Sequence, residues 1–228
     1  MHIGLIGGIG PAATVAYYQR LVARVRGEGG HLELTIAHAD IATLIANGRA
    51  DNRDAQARIY ARHIDALRGA GADCAAITSL GGHFCFAETQ ALASLPLVSG
   101  IEPIDAHLAA LGIRRVGVLG TEAVMRSGLF GQLVQTEAVA PDDDLAELGS
   151  LYQSIAIAGT CTDAQRAALF EAGRGMVERQ GAQAVVLAGT DLGLAFDGQD
   201  PGYRVVDGLD IHVALLADLA LGRAVLPA

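Results

Sequence analysis

Four segments of the chain hold the residues best suited to chemistry. Each of them follows a short apolar run: Gly7–Thr14, Thr78–His83, Gly120–Ser127 and Gly189–Gly193. Apolar runs without polar alternation are typical of strands that are buried on both faces. Ligands of open parallel sheets bind at the carboxyl ends of the strands. We therefore expect the functional groups of this protein to lie in these four segments.

The first segment, GGIGPAAT, places glycines directly before the start of a predicted helix at Pro11. Such a turn can bind an anion through backbone N–H groups and the helix dipole. It lacks the third glycine of G-x-G-x-x-G, because position 13 is alanine, and it lacks the G-K-[ST] ending of a P-loop. We expect Gly8 and Gly10 to bind a carboxylate rather than a dinucleotide, although a tight strand-to-helix turn would need the same glycines.

Ser79 and His83 are four residues apart, so a helical turn would bring their side chains together. A Ser–His pair permits nucleophilic or acid–base chemistry. No carboxylate that would orient the histidine is evident in the sequence. It is equally consistent with the pattern that His83 caps a helix beginning at Phe84.

Three further residues could contact a substrate. Thr190 and Asp191 follow the last strongly apolar run, where they could bind a ligand, transfer protons, or only form a turn. Arg53 precedes a predicted helix and could clamp a carboxylate through its guanidinium group. From the residues alone, Arg53 is better interpreted as an ordinary surface arginine.

Composition excludes several classes of function. The chain has 228 residues, is 51% apolar and carries a formal net charge of -9. An acidic protein of this kind is a poor partner for nucleic acid, and no apolar run is long enough to span a membrane. The N-terminus has no basic leader, and the three cysteines are scattered. We expect a cytoplasmic protein without a disulfide framework or a metal site.

Predicted strands and helices alternate, and the pattern restarts after residue 100. The opening IGLIGG is similar to VGVLGT from Val116, and GADCAAITSLGG is similar to GAQAVVLAGTDLG. We predict an α/β protein of two similar Rossmann-like halves with mostly parallel sheets, related by a pseudo-twofold axis, with the site in the cleft between them. The halves are 1–99 and 100–206, and the segment 207–228 is a candidate to pack on the first half.

The individual elements are predicted from apolar periodicity. The predicted strands are 1–6, 32–37, 74–77, 95–98, 115–119, 184–188 and 203–206. The predicted helices are one starting at Pro11 and those at 55–68, 84–92, about 127–135, 145–157, 164–179 and 210–221.

Several motifs in order resemble the aspartate/glutamate racemase superfamily, in particular its aspartate racemase branch. IGLIGGIGPAAT resembles that branch's opening Gly-Gly-Met-Gly-Pro-x-Ala-Thr motif. DNRDAQ falls where the family has a substrate-binding arginine, which implies that role for Arg53. VGVLGTEAVMRSGLF resembles the start of the second half, implying Thr121 and Ser127 as binding residues. LYQSIAIAG and DIHVALLADLAL are also similar to family segments.

The resemblance implies cofactor-independent racemisation by two thiols, yet neither thiol is present. The family's first cysteine lies in Pro-Cys-Asn-Thr-Ala-His, and alignment on His83 puts Ser79 at that position. The adjacent binding residues become Leu80 and Gly81. The second lies in Gly-Cys-Thr-Glu, where this chain has Gly189. A thiol titrates at about pH 8.5, whereas a serine hydroxyl does not ionise near neutrality and glycine has nothing to titrate. The two-thiol mechanism is therefore lost.

Three interpretations remain open. The resemblance implies a racemase-type isomerase that acts on a small carboxylate, without metal or pyridoxal phosphate, as a homodimer. Alternatively, the protein binds a small carboxylate through Arg53, Thr121, Thr190 and the glycine loop without turnover. A third possibility is a lyase or decarboxylase in which His83 and Asp191 transfer protons.

Overall fold

The computed structural model describes residues 1–226, and the chain folds as two units. The first consists of Met1–Gly100 together with the chain from His212 onward, and the second is Ile101–Ile211. Each unit contains a four-stranded sheet in which every strand pairing is parallel. The predicted α/β class and the parallel sheets are confirmed.

The sheet of the first unit has the order β2-β1-β3-β4. Its strands are β1 His2–Gly7, β2 Glu33–His38, β3 Cys74–Ile77 and β4 Leu97–Val98. The two central strands are almost completely buried, as uninterrupted apolar runs predict. The edge strand β2 is largely half-exposed, so its polar and apolar residues are mixed.

The first unit contains α1 Pro11–Gly27, α2 Ile41–Arg49, α3 Arg53–Gly69, α4 Phe86–Leu92 and most of α10 Gly208–Ala220, with a 3₁₀ helix at Gly81–Cys85. In α1 the buried residues recur every four positions, at Ala13, Tyr17, Leu21 and Val25. The predicted segment 207–228 contains α10, and its last two residues lie outside the described part of the chain.

The second sheet repeats the strand order of the first, as β6-β5-β7-β8. Its strands are β5 Arg115–Leu119, β6 Glu137–Val139, β7 Ala184–Leu187 and β8 Val205–Asp207. In both sheets the first strand lies between the second and the third. The first and third strands of the two units, β1 with β5 and β3 with β7, are therefore topologically equivalent.

The second unit's helices are α5 Glu102–Ala110, α6 Glu122–Arg126, α7 Leu145–Ala158, α8 Asp163–Glu178 and α9 Gly193–Phe196, with a 3₁₀ helix at Thr190–Leu192. Side chains define where the longer helices begin. Asp144 accepts hydrogen bonds from two backbone N–H groups at the start of α7, and Thr162 forms a capping box with Gln165 at the start of α8.

The helix predicted near 127–135 is wrong. Helix α6 ends at Arg126, and the hydroxyl of the next residue, Ser127, donates to the carbonyl of Ala123. Gly128, Leu129 and Phe130 then have φ values of 56°, 58° and 57°, in the left-handed region that no right-handed helix adopts. The short elements β6, α2 and α5 were not predicted, because each of them lacks a sustained apolar period.

Within residues 1–226, no helix has the length and apolar character needed to cross a membrane.

Candidate functional site

Ser79 and Gly189 hold equivalent positions in the two units. Strand β3 ends at Ile77 and strand β7 ends at Leu187, so each residue lies two positions beyond the carboxyl end of its strand. A short 3₁₀ helix begins two residues after Ser79, at Gly81, and another begins one residue after Gly189, at Thr190. The sequence alignment that put these two residues at the thiol positions therefore corresponds to a matched pair of strand ends.

His83 contacts Ser79 through the main chain and not through its hydroxyl group. The Nδ1 atom of His83 lies 2.8 Å from the carbonyl oxygen of Ser79, and the N–H of Gly100 donates to Nε2 at 2.9 Å. A nitrogen that accepts from an amide carries no proton, so Nδ1 is the protonated nitrogen and the ring is neutral. Burial lowers the pKa of His83 to about 4.

With this geometry, His83 connects two backbone segments, one at Ser79 and one at Gly100. Its ring is 3% exposed and stacks on Phe86 with centroids 5.2 Å apart. Both ring nitrogens are used, and the Ser79 hydroxyl accepts instead from the N–H of Gly82 at 3.2 Å. The spacing of Ser79 and His83 does bring the two together, but the arrangement activates no nucleophile.

The neighbours of Ser79 differ in burial. Leu80 is fully buried, and a Cβ placed on Gly100 would lie 2.9 Å from its Cδ2 atom. Gly81 is half-buried and begins the 3₁₀ helix. Leu80 thus packs in the interior of the first unit, beside Gly100, whose N–H donates to His83.

The glycine loop of the first unit is closed by Thr14. The Thr14 hydroxyl accepts from the N–H of Gly8 at 2.8 Å and donates to the carbonyl of Gly10 at 3.0 Å. Gly8 and Gly10 have φ values of 83° and 105°, which side chains rarely adopt. The ring of His38, at the end of β2, lies where a Cβ of Gly8 would be. His38 was not singled out from the sequence, where nothing connects it to the loop.

Arg53 is the first residue of α3, and two carboxylates lie near its guanidinium group. Its Nε atom is 2.8 Å from Oδ1 of Asp51, and Nη1 is 3.8 Å from Oε1 of Glu88. The side chain is 47% exposed, so solvent weakens both pairs. A ligand carboxylate at Arg53 would compete with Asp51 for the same donor.

The two hydroxyl residues predicted in the second unit close the ends of α6. The Thr121 side chain accepts from the N–H of Val124 at 3.3 Å and caps the start of the helix. The Ser127 hydroxyl accepts from the N–H of Phe130 at 2.9 Å just beyond its end. Both side chains therefore have local structural roles in addition to any role in binding.

Tyr152 of α7 lies against the loop that follows β7, and the sequence had indicated only a core residue there. Its phenol forms a hydrogen bond with the side chain of Thr190 and accepts from the N–H of Asp191. Thr190 and Asp191 are themselves 3% and 2% exposed. Burial, together with the negative charge of Asp191, raises the pKa of Tyr152 well above its usual range. The hydroxyl of Thr190 and the carboxylate of Asp191 in this loop therefore lie beside the phenol of Tyr152 from α7.

None of the three cysteines lies at the carboxyl end of β3 or of β7. Cys74 is within β3 and Cys85 is in the first 3₁₀ helix, and burial raises the pKa of both thiols to about 11. Cys161 is half-buried, with its pKa also raised by burial. All three are free thiols. Over residues 1–226, no group of three or more His, Cys, Asp or Glu side chains is placed to hold a metal ion.

Residues 6–216 match the Asp/Glu/hydantoin racemase family, and the chain belongs to that family. Among solved structures it is similar to a candidate Asp/Glu racemase from Yersinia pestis, with 25% identity and a TM-score of 0.80 over 97% of this chain and 100% of that one. It is similar to an aspartate racemase homologue from Pyrococcus horikoshii, with 26% identity and a TM-score of 0.77 over 96% and 99%. The Picrophilus torridus aspartate racemase shares the fold, at 21% identity and a TM-score of 0.76 over 96% and 94%.

Proposed function

We propose that this racemase-family protein binds a small carboxylate, such as an acidic amino acid, and does not racemise it by a two-thiol mechanism. The observation that carries the proposal is the pair of equivalent strand ends. Two residues beyond β3 there is a hydroxyl, at Ser79, and two residues beyond β7 there is no side chain, at Gly189. Racemisation needs a proton acceptor on one face of the α-carbon and a donor on the other.

The hydroxyl of Ser79 does not replace a thiolate. A serine hydroxyl becomes nucleophilic or basic only beside a general base. The adjacent histidine, His83, is neutral and has both ring nitrogens bonded to the backbone. The thiols of Cys74 and Cys85 are fully buried in other positions, so they supply no substitute.

The family supports a carboxylate ligand, and Arg53 is the residue that we propose binds it. The protein has a formal net charge of -9, so an anion needs a local cation to overcome general repulsion. Arg53 is half-exposed and its guanidinium can pair with a carboxylate through two parallel hydrogen bonds. Gly8, Gly10, Gly81, Thr121, Ser127 and Thr190 remain proposed as further contacts.

A second candidate function is proton transfer at one face only, as in a lyase or decarboxylase. The observation that favours it is the buried Asp191, whose charge acts on the phenol of Tyr152. In this alternative Asp191 acts without His83. The resemblance to racemases further supports a cytoplasmic homodimer that works without pyridoxal phosphate.

Two measurements test the proposal. Calorimetric titration with L-aspartate and L-glutamate should detect binding, and proton NMR in deuterium oxide should show that the bound amino acid keeps its α-proton. We expect Arg53→Ala to weaken binding by at least about tenfold, the worth of a charge-assisted hydrogen bond. Arg58→Ala is the matched control, because Arg58 is an exposed arginine on the same helix.

The outcomes separate the candidates. Loss of the α-proton signal together with appearance of the D-enantiomer would contradict the proposal, because racemisation would then survive without thiols. Loss of a proton or of carbon dioxide without racemisation, abolished by Asp191→Asn, would favour the second candidate. Equal binding by the Arg53 and Arg58 variants would remove Arg53 from the ligand site.

A further inference from the structure

The backbone at Gly189 does not require glycine. Its φ of -120° and ψ of 117° are ordinary extended values that any L-residue adopts. A side chain is excluded at this position because there is no space for it. A Cβ built on Gly189 would lie 2.5 Å from Cζ, 2.7 Å from Cε2 and 2.8 Å from Oη of Tyr152. Such distances are far below van der Waals contact, so a neighbouring side chain and not the chain conformation makes this residue glycine.

Tyr152 is held in this place by packing and by hydrogen bonds. It is 6% exposed, within a cluster of buried residues that includes Leu148, Ile155 and Leu192. Its phenol is bonded to the side chain of Thr190 and to the N–H of Asp191. Moving the ring to make room at position 189 would break both hydrogen bonds and open a void in the core.

We propose that Tyr152 occupies the volume of the side chain missing at Gly189 and is a specificity-determining residue at the carboxyl end of β7. A ligand at this strand end would then contact the phenol of Tyr152, which belongs to α7. The phenol is neutral at physiological pH because burial and the charge of Asp191 raise its pKa. It therefore serves as a hydrogen-bond donor to a carboxylate or carbonyl oxygen and not as a base.

The proposal implies that a side chain at position 189 and the ring of Tyr152 exclude each other, so that a substitution at one position requires a substitution at the other. A cysteine returned to position 189 alone would collide with Tyr152, so restoring a thiol there requires a shorter side chain at position 152. The steric part of this inference is independent of any ligand. The part that concerns ligand contact rests on the proposed function, namely the binding of a small carboxylate.

A double-mutant cycle measures the steric part through thermal unfolding. Gly189→Ala should lower Tm by about 3–10 °C, the effect of overpacking a core position in a chain of this size. Tyr152→Phe keeps Cζ and Cε2, so Gly189→Ala should cost as much in that background. Tyr152→Leu removes all three obstructing atoms, so the cost should vanish there. Gly69→Ala is the control, since a Cβ at Gly69 meets nothing within 4 Å.

Each outcome of the cycle decides the steric claim. An equal loss of Tm in the wild-type and Tyr152→Leu backgrounds would overturn it, as would a Gly189→Ala protein as stable as the Gly69→Ala protein. Should Tyr152→Leu prove too unstable to study, Tyr152→Met offers a second side chain that lacks the ring.

Calorimetry with L-aspartate then tests the contact. Tyr152→Phe should weaken binding by about tenfold, by a factor that stays constant from pH 6 to 9, because the phenol does not ionise in that range. Unchanged affinity in Tyr152→Phe would overturn the contact. If wild-type protein binds no carboxylate, the proposed function fails, and the stability cycle still decides whether Tyr152 fills position 189.

Discussion

At the scale of single residues, the proposed function depends on which residues stand at the two equivalent strand ends. Ser79 and Gly189 follow equivalent strands, but neither carries a group that titrates near neutral pH. His83 has both nitrogens bonded to the backbone. Tyr152 fills the space beside Gly189. In each unit, the end of the strand therefore offers polar groups but no thiolate.

The reactivity of the cysteines tests this description. Cys74 and Cys85 are fully buried and have pKa values of about 11, so almost none of either is thiolate at pH 8. We expect one thiol per native chain to react with a thiol-specific chromogenic reagent, and three after unfolding. The single reactive thiol should disappear in Cys161→Ser. Rapid reaction of a second native thiol would show that a buried cysteine is accessible.

At the scale of elements, helices and turns in both units are closed by particular polar side chains. Thr14 closes the glycine loop before α1, and Thr121 and Ser127 close the two ends of α6. In the second unit, the segment leading into β6 is held by a buried carboxylate. Asp105 of α5, 4% exposed, accepts from the N–H groups of Val134, Gln135 and Thr136 at 3.0, 2.9 and 3.1 Å.

Replacing this carboxylate should loosen the approach to β6. Burial alone would raise the pKa of Asp105, but the three N–H donors and the side chain of Thr136 together outweigh it and lower the pKa. We expect Asp105→Asn to lower the free energy of unfolding by about 2–4 kcal/mol, because the amide loses the charge and turns an N–H₂ toward a donor. Urea denaturation measures this, with the exposed Asp143→Asn as control. A loss below about 0.5 kcal/mol would mean that backbone contacts alone hold the segment.

At the scale of the whole molecule, two sheets of the same strand order are built from sequences that are only partly similar. The first unit also includes the chain from His212 onward, and His212 is fully buried there. Its Nδ1 atom lies 2.9 Å from the hydroxyl of Tyr17, and its ring centroid is 6.4 Å from that of His83. The stability of the protein should therefore depend on keeping both histidines neutral.

Acid should unfold this protein at moderate pH. Burial lowers the pKa of His83 to about 4, and burial together with the neighbouring His83 lowers that of His212 to about 3. Below pH 6.5 both histidines take up protons in the unfolded chain, whereas in the folded chain they stay neutral because their pKa values are lower. Stability is thus complete above pH 6.5 and falls toward pH 4, by about 1.4 kcal/mol per pH unit for each histidine.

Urea denaturation at pH 7 and pH 5 measures this slope. His212→Gln should reduce the loss between the two pH values by about 2 kcal/mol, one histidine's share over the interval below pH 6.5. The comparison of slopes corrects for any constant effect of the substitution. His107→Gln, at an exposed histidine, is the matched control substitution. An unaltered slope in His212→Gln would show that His212 remains able to take up a proton in the folded state.

Local patterns in the sequence were enough to predict the class of fold and many of its elements. The strands predicted at 74–77 and 115–119 have the same first and last residues in the structure. An uninterrupted apolar run is typical of a strand that is buried on both faces, so its bounds are clear in the sequence. The strand Glu137–Val139 was missed, because it is short and only partly buried. The motifs predicted the family, which is confirmed. Alignment on His83 put Ser79 at the first thiol position, and the second motif put Gly189 at the other.

Only the tertiary structure decided what the side chains at the strand ends do. The spacing of Ser79 and His83 indicated a contact, but Gly100, 17 residues further along the chain, decided which atoms the ring uses. Helical spacing indicated that Tyr152 is buried, but the packing of α7 placed its phenol beside Gly189. Periodicity in a sequence shows which faces of a helix or strand are buried, because the local backbone decides the direction in which each side chain points. Which distant residue fills a given space depends on how the elements pack.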